Sequence, residues 1–144
     1  MGKLTLKQAN TIVEKALAKA REMKIKPLAV VVLDEAGNIK SAQREDGASM
    51  FRVDVALGKA WGAVAWGQSS RSLAKRAQDN PNFYMALASA SRGRFLPQTG
   101  AVLIRDENGE ILGAVGASGG TGEEDELCCA FGVEQAGLKT DPIG

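Results

Sequence analysis

No histidine occurs among the 144 residues. That absence removes the commonest general base, the usual zinc and haem ligand, and every Ser-His or Cys-His catalytic arrangement. Chemistry must rest on carboxylates, arginine, lysine, the single tyrosine Tyr84, the thiols or backbone N–H groups, and no metal site is expected. Aromatic side chains are scarce, and 18 basic residues against 17 acidic ones leave a net charge of +1. A nucleic-acid binder needs a basic excess and, for single strands, interleaved aromatics, so no nucleic-acid partner is expected. No apolar run approaches the length of a signal core or a membrane span, and the expectation is a cytoplasmic protein with no membrane partner. Cysteine is limited to the adjacent Cys128 and Cys129. Neighbours on a helix point about 100° apart and seldom bridge, so these two read as small buried residues. Linkers and low-complexity tracts are also missing, and the length suits one domain spanning 1–144.

What is present concentrates in Gly113–Gly132, GAVGASGGTGEEDELCCAFG, which places five glycines before the acids Glu123, Glu124, Asp125 and Glu126. Glycine lets backbone approach closely and adopt positive φ, and Thr121 followed by Glu124 is a capping box that starts a helix near Gly122. A glycine-rich loop opening a helix often binds phosphate. Here the acidic first turn repels an anion of that kind, and no P-loop lysine follows.

Leu6, Ala9, Ile12, Val13, Ala16, Leu17 and Ala20 have the spacing of an amphipathic helix, with Thr5 as N-cap. Leu28–Leu33 reads as a strand, Asp34–Gly37 as a turn and Asn38–Arg44 as a more polar strand. The plan recurs in Ala101–Arg105, the turn Asp106–Gly109 and Glu110–Ala117, and VLDEAGNI echoes IRDENGEI. Between the hairpins, Met50–Trp66 predicts a central helix rich in small residues, followed by helices over Ser70–Gln78 and Pro81–Ser91. Helix, hairpin, three helices, hairpin and helix make an α+β domain, layered α/β/α, with antiparallel pairing.

The segments LTLKQANTIVEKALAKA, PLAVVVLDEAGNIKSAQREDGAS, ALGKAWGAVAWGQSSRSLAKRA and RFLPQTGAVLIRDENGEILGAVGASGGTGEEDELCCAFG resemble the GlcG/HbpS family, found also as the C-terminal domain of some PduO-type adenosyltransferases. The resemblance implies a profilin-like layered α/β/α fold, an antiparallel sheet of about five strands, and assembly into a homo-oligomer. It also implies a small-molecule ligand. Some relatives bind haem, some accompany glycolate or diol metabolism, and some resemble enzymes that tautomerise, dehydrate or dehalogenate muconate-type acids. Relatives that ligate haem iron through histidine have no counterpart here, so no cofactor is required and haem is disfavoured. Tyr84, Met23, Met50, Met85, Cys128 and Cys129 remain as iron ligands in principle.

Candidate ligand-binding residues are Arg44, Arg52, Ser118, Gly119 and Gly120, on segments that in the resemblance border the pocket. Arg52 and Lys59 lie seven residues apart and share one helix face with Ala56 and Ala63. Arginine matches a carboxylate in a two-pronged fashion, or pairs with Asp46 or Glu124 instead. Without histidine, a carboxyl of raised pKa is the natural base, which makes Asp125 and Glu123 the catalytic candidates, Glu124 being committed to the cap. Two functions fit this pattern. One is an enzyme for tautomerisation, dehydration or elimination on a small carboxylate metabolite, of the muconate type or a 2-hydroxy acid. The other is a non-catalytic binding protein for haem or another planar anionic ligand.

Overall fold

The computed structural model describes residues 3–141. Helix α1 covers Leu6–Glu22, and its start is the predicted one. Thr5 accepts from the Gln8 N–H and the Gln8 side chain returns the bond, a reciprocal cap that satisfies two otherwise orphaned donors. Strands β1 (Ala29–Asp34) and β2 (Ile39–Arg44) form the first hairpin, and β3 (Ala101–Arg105) and β4 (Ile111–Ser118) the second. Helices α2 (Phe51–Trp66), α3 (Ser70–Asp79) and α4 (Pro81–Ala90) lie between them, and α5 (Gly122–Gln135) follows β4.

The echo between the two hairpins is structural. Asp34 Oδ1 accepts from the N–H groups of Ala36 and Asn38, and Asp106 Oδ1 accepts from those of Asn108 and Glu110. In each turn a glycine closes the bend with positive φ, 80° at Gly37 and 84° at Gly109. The side chain of one aspartate thus substitutes for a sheet partner at both reversals.

All four strands form one antiparallel sheet in the order β2-β1-β4-β3. The expectation of about five strands is adjusted to four among the described residues. Beyond α5, among the described residues, Lys139 makes a single bridge to Arg105.

Alternation along the strands divides the core into two layers. Val30, Val32, Val102, Ile104, Val115 and Ala117 face α1 and α5, where Ile12, Val13, Ala16, Cys128, Cys129 and Val133 meet them. Val31, Leu33, Leu103 and Ala114 face Ala56, Ala60 and Ala63 of α2. Covering both faces explains why β1 reads as an unbroken apolar run, whereas the edge strand β2 stays largely exposed. The small side chains of α2 let its backbone descend onto β4. A Cβ added at Gly116 would run into the Ala56 carbonyl, so this position admits glycine alone.

Helices α3 and α4 lie outside the layers, around a small cluster of Leu73, Tyr84 and Phe95. Ser70, fully buried, accepts from the N–H groups of Gly100 and Ala101 and donates to the Ala101 carbonyl, which fastens α3 to the start of β3.

Candidate functional site

At the end of the sheet where β4 finishes and α5 begins, a cleft of about 350 Å³ opens between α2 and the Gln98–Thr99 segment. Ser118 is the last residue of β4, and Gly122 and Glu123 are the first two of α5. Thr121 caps that helix as expected. Its hydroxyl accepts from the Glu124 N–H at 3.1 Å, and Glu124 accepts from the Thr121 N–H at 2.9 Å. Backbone N–H groups in the first turn of a helix have no intrahelical partner, and the helix dipole adds positive potential there.

Arg52, near the start of α2, reaches across to Ser118, with Nη1 donating to Oγ at 3.2 Å. Its guanidinium makes no ion pair among the described residues, neither with Asp46 nor with Glu124. Two turns further along the same face, the buried Lys59 amine donates to the Ala117 carbonyl at 3.0 Å and to Asp125 Oδ2 at 3.3 Å. Asp125 Oδ1 accepts from the Gly120 N–H at 3.0 Å. With 1% exposure, Asp125 sits at the bottom of the cleft with both oxygens engaged. Burial raises its carboxyl pKa above the ordinary carboxylate value, against the opposing pull of Lys59, the Gly120 N–H and Arg52.

The four consecutive acids therefore have four different positions. Glu123 is exposed on the cleft wall, Glu124 caps the helix, and Asp125 binds Lys59. Glu126, only 2% exposed, takes a two-pronged bond from Arg71, at 3.1 Å from Nε and 2.6 Å from Nη2. A rotation of about 100° per residue separates them.

Of the residues singled out in the sequence, Arg52, Ser118, Gly120, Glu123 and Asp125 share this cleft. Gly119 lies on the far side of the turn, in an adjoining hollow that Arg52 and Gly120 also line. The Gly120 N–H, expected to approach a ligand, is committed to Asp125. Arg44 is elsewhere. It donates to the Ala48 carbonyl at 2.6 Å and lines a separate concavity with Arg21, Glu45 and Asp46. Lys59 was missed as a site residue, although its place seven residues after Arg52 on a small-residue face was visible. The tight packing of Gly100 against its amine was not.

The remaining nucleophiles and potential iron ligands do not line the cleft. Cys128 and Cys129 are fully buried in the layer between sheet and helices. Burial, reinforced by Asp125, pushes the Cys128 thiol up to about 11 and that of Cys129 well above its usual value. Tyr84 belongs to an aromatic group with Trp66, Phe83 and Phe95.

The architecture is thus a layered α/β/α domain with a polar cleft at one end of an antiparallel sheet. Comparison with known proteins places it further. A family described as haem degrading protein HbpS-like matches residues 4–134, and the chain belongs to that HbpS-like family. An uncharacterized 15.0 kDa protein of Citrobacter freundii, from a dhaT-dhaS intergenic region, is 32% identical over 124 residues, covering 86% of this chain and 85% of that one. The crystal structure of a PduOC:haem complex superposes with a TM-score of 0.86 at 23% identity, covering 98% of this chain and all of the other. Klebsiella pneumoniae protein ORFY gives a TM-score of 0.84 at 28% identity, covering 95% and 93%.

Proposed function

We propose that the chain is a binding protein for a small carboxylate-bearing ligand, held in the cleft between α2 and the start of α5. The observation that carries this reading is Arg52. Its guanidinium makes no ion pair among the described residues, is fixed by Ser118, and lies on a cleft wall shared with the first two residues of a helix. A carboxylate placed there would meet the planar arginine fork and the Ser118 hydroxyl together. Replacing Arg52 by alanine is expected to weaken carboxylate binding by about 1.5–3 kcal/mol, the worth of a hydrogen bond to a charged group. Titration calorimetry with short-chain carboxylates measures this, and unchanged affinity in the variant would move the site elsewhere.

The family description and the PduOC:haem relative raise haem as the ligand. The cleft residues do not fit it. Val55 is the one apolar side chain of size among them, and the rest are Arg52, Lys59, Gln98, Thr99, Ser118, Gly120, Gly122, Glu123 and Asp125. None offers imidazole, thioether, thiolate or phenol to iron, and the Lys59 amine is held by Asp125 and Ala117. Haem titration should accordingly leave the Soret band broad and non-stoichiometric. A sharp six-coordinate spectrum lost on Tyr84→Phe, or on a single Met or Cys change, would overturn that expectation.

Proton transfer by Asp125 is the second reading, favoured by its buried, upward-shifted carboxyl at the cleft floor. Tautomerisation, dehydration or elimination would require a substrate to reach a carboxyl only 1% exposed at the cleft floor. Binding alone requires no such access, which ranks it first. Assembly into a homo-oligomer belongs to the same proposal, supported by the exposed apolar side chains Trp66, Phe83 and Met85.

A further inference from the structure

The cleft wall carries two charges of opposite sign that form no ion pair among the described residues. Arg52 has no carboxylate within ion-pair distance, although it is close enough to Asp125 to oppose the rise in its pKa, and exposed Glu123 has no cation within that distance. The other ionic groups nearby are already matched. Lys59 and Asp125 bind each other beneath the cleft, and Glu124 holds the helix cap. Arg71 lies close enough to feel Glu123, yet its Nε and Nη2 donors are directed to Glu126. The same cleft is lined by the neutral polar side chains Gln98, Thr99 and Ser118, besides the mutually paired Lys59 and Asp125.

A ligand bearing only a carboxylate would satisfy Arg52 and place its charge near Glu123, where like charges repel. A second carboxylate would enlarge that repulsion. From this arrangement, and building on the carboxylate reading above, we infer that the cleft takes a zwitterion: a small ligand with a carboxylate on Arg52 and Ser118 and, a short chain away, a cationic amine facing Glu123. Each unpaired charge of the cleft then has its complement in one molecule. Because Glu123 is exposed, its attraction for an ammonium group is screened by solvent. Its contribution is to selectivity between ligands more than to affinity.

Three probes of similar size separate the terms: propionate, β-alanine and n-propylamine. Amide shifts of Gly120, Gly122 and Glu123, followed by two-dimensional NMR during titration, report occupancy of this cleft. β-Alanine is expected to bind about three- to fivefold more tightly than propionate, the fold-change an exposed ion pair supports, and propylamine most weakly. Glu123→Gln should erase the difference between β-alanine and propionate, weakening β-alanine and, by removing the repulsion, tightening propionate. Propionate binding as tightly as β-alanine, or a preference for β-alanine that survives Glu123→Gln, would overturn the zwitterion while the carboxylate reading stands. No shift at these amides with any probe would overturn both.

Discussion

Lys59 and Asp125 are the pair on which the cleft floor depends. Two buried charges that satisfy each other contribute little net stability, but removing one strands the other in a poorly solvated site. Lys59→Met and Asp125→Leu should each cost about 3–5 kcal/mol in urea denaturation. The double variant should recover most of that loss, whereas additive losses would show that the pair does not act as a unit. Asp125 also gives the fold a pH dependence of known sign. Its folded carboxyl holds a proton more readily than the unfolded chain does. Its contribution to stability is therefore fully present below the ordinary carboxylate value and is lost as pH rises through the raised folded value. The urea midpoint of Asp125→Leu should lack this component. Much of the site was legible at this scale, since Arg52, Ser118, Glu123 and Asp125 were identifiable by type and spacing. Lys59 was harder to see because an interior-helix lysine ordinarily reads as a solvated side chain. Arg44 was included because, in the family resemblance, the end of the first hairpin borders the pocket, but its guanidinium bonds back to Ala48 in its own loop.

Helix α2 touches β4 closely enough that one methyl group decides the fit. Gly116→Ala would drive a Cβ into the Ala56 carbonyl, and the helix would have to lift from the sheet. A loss of about 2–3 kcal/mol is expected, at the upper end of overpacking costs. Thermal unfolding checks it, and a midpoint within a degree of the parent would mean that α2 yields freely. At this scale the sequence was most informative where local chemistry decides the outcome. Thr5 with Gln8 and Thr121 with Glu124 are caps written in three-residue spacing, and Asp34 and Asp106 mark turns by their own side-chain bonds. Strand order was not legible, because a hairpin pattern says which strands are sequential neighbours and leaves open which strand of one hairpin meets which strand of the other. Phe95 is buried against Tyr84 and closes the small outer cluster.

For the molecule as a whole, α4 stands out because Pro81–Ala90 holds no charged residue and exposes Phe83 and Met85. Light scattering at micromolar concentration should give a mass several times that of the chain, and Met85→Glu should reduce it. A clean monomer across dilution would defeat the oligomer. The sheet order β2-β1-β4-β3 has a separate consequence, for synthesis. Ala29 pairs with Ser118 and Asp34 with Gly113, so the most apolar strand acquires its second neighbour only after nearly the whole chain exists. At ordinary translation rates the interval is on the order of ten seconds. Throughout it, the emerging polypeptide carries an unpaired Val30–Leu33 edge, and closing so long a loop makes the productive pairing slow as well as late. The native sheet hides this strand completely. The nascent chain is where it is vulnerable, and where shielding by a chaperone would matter most.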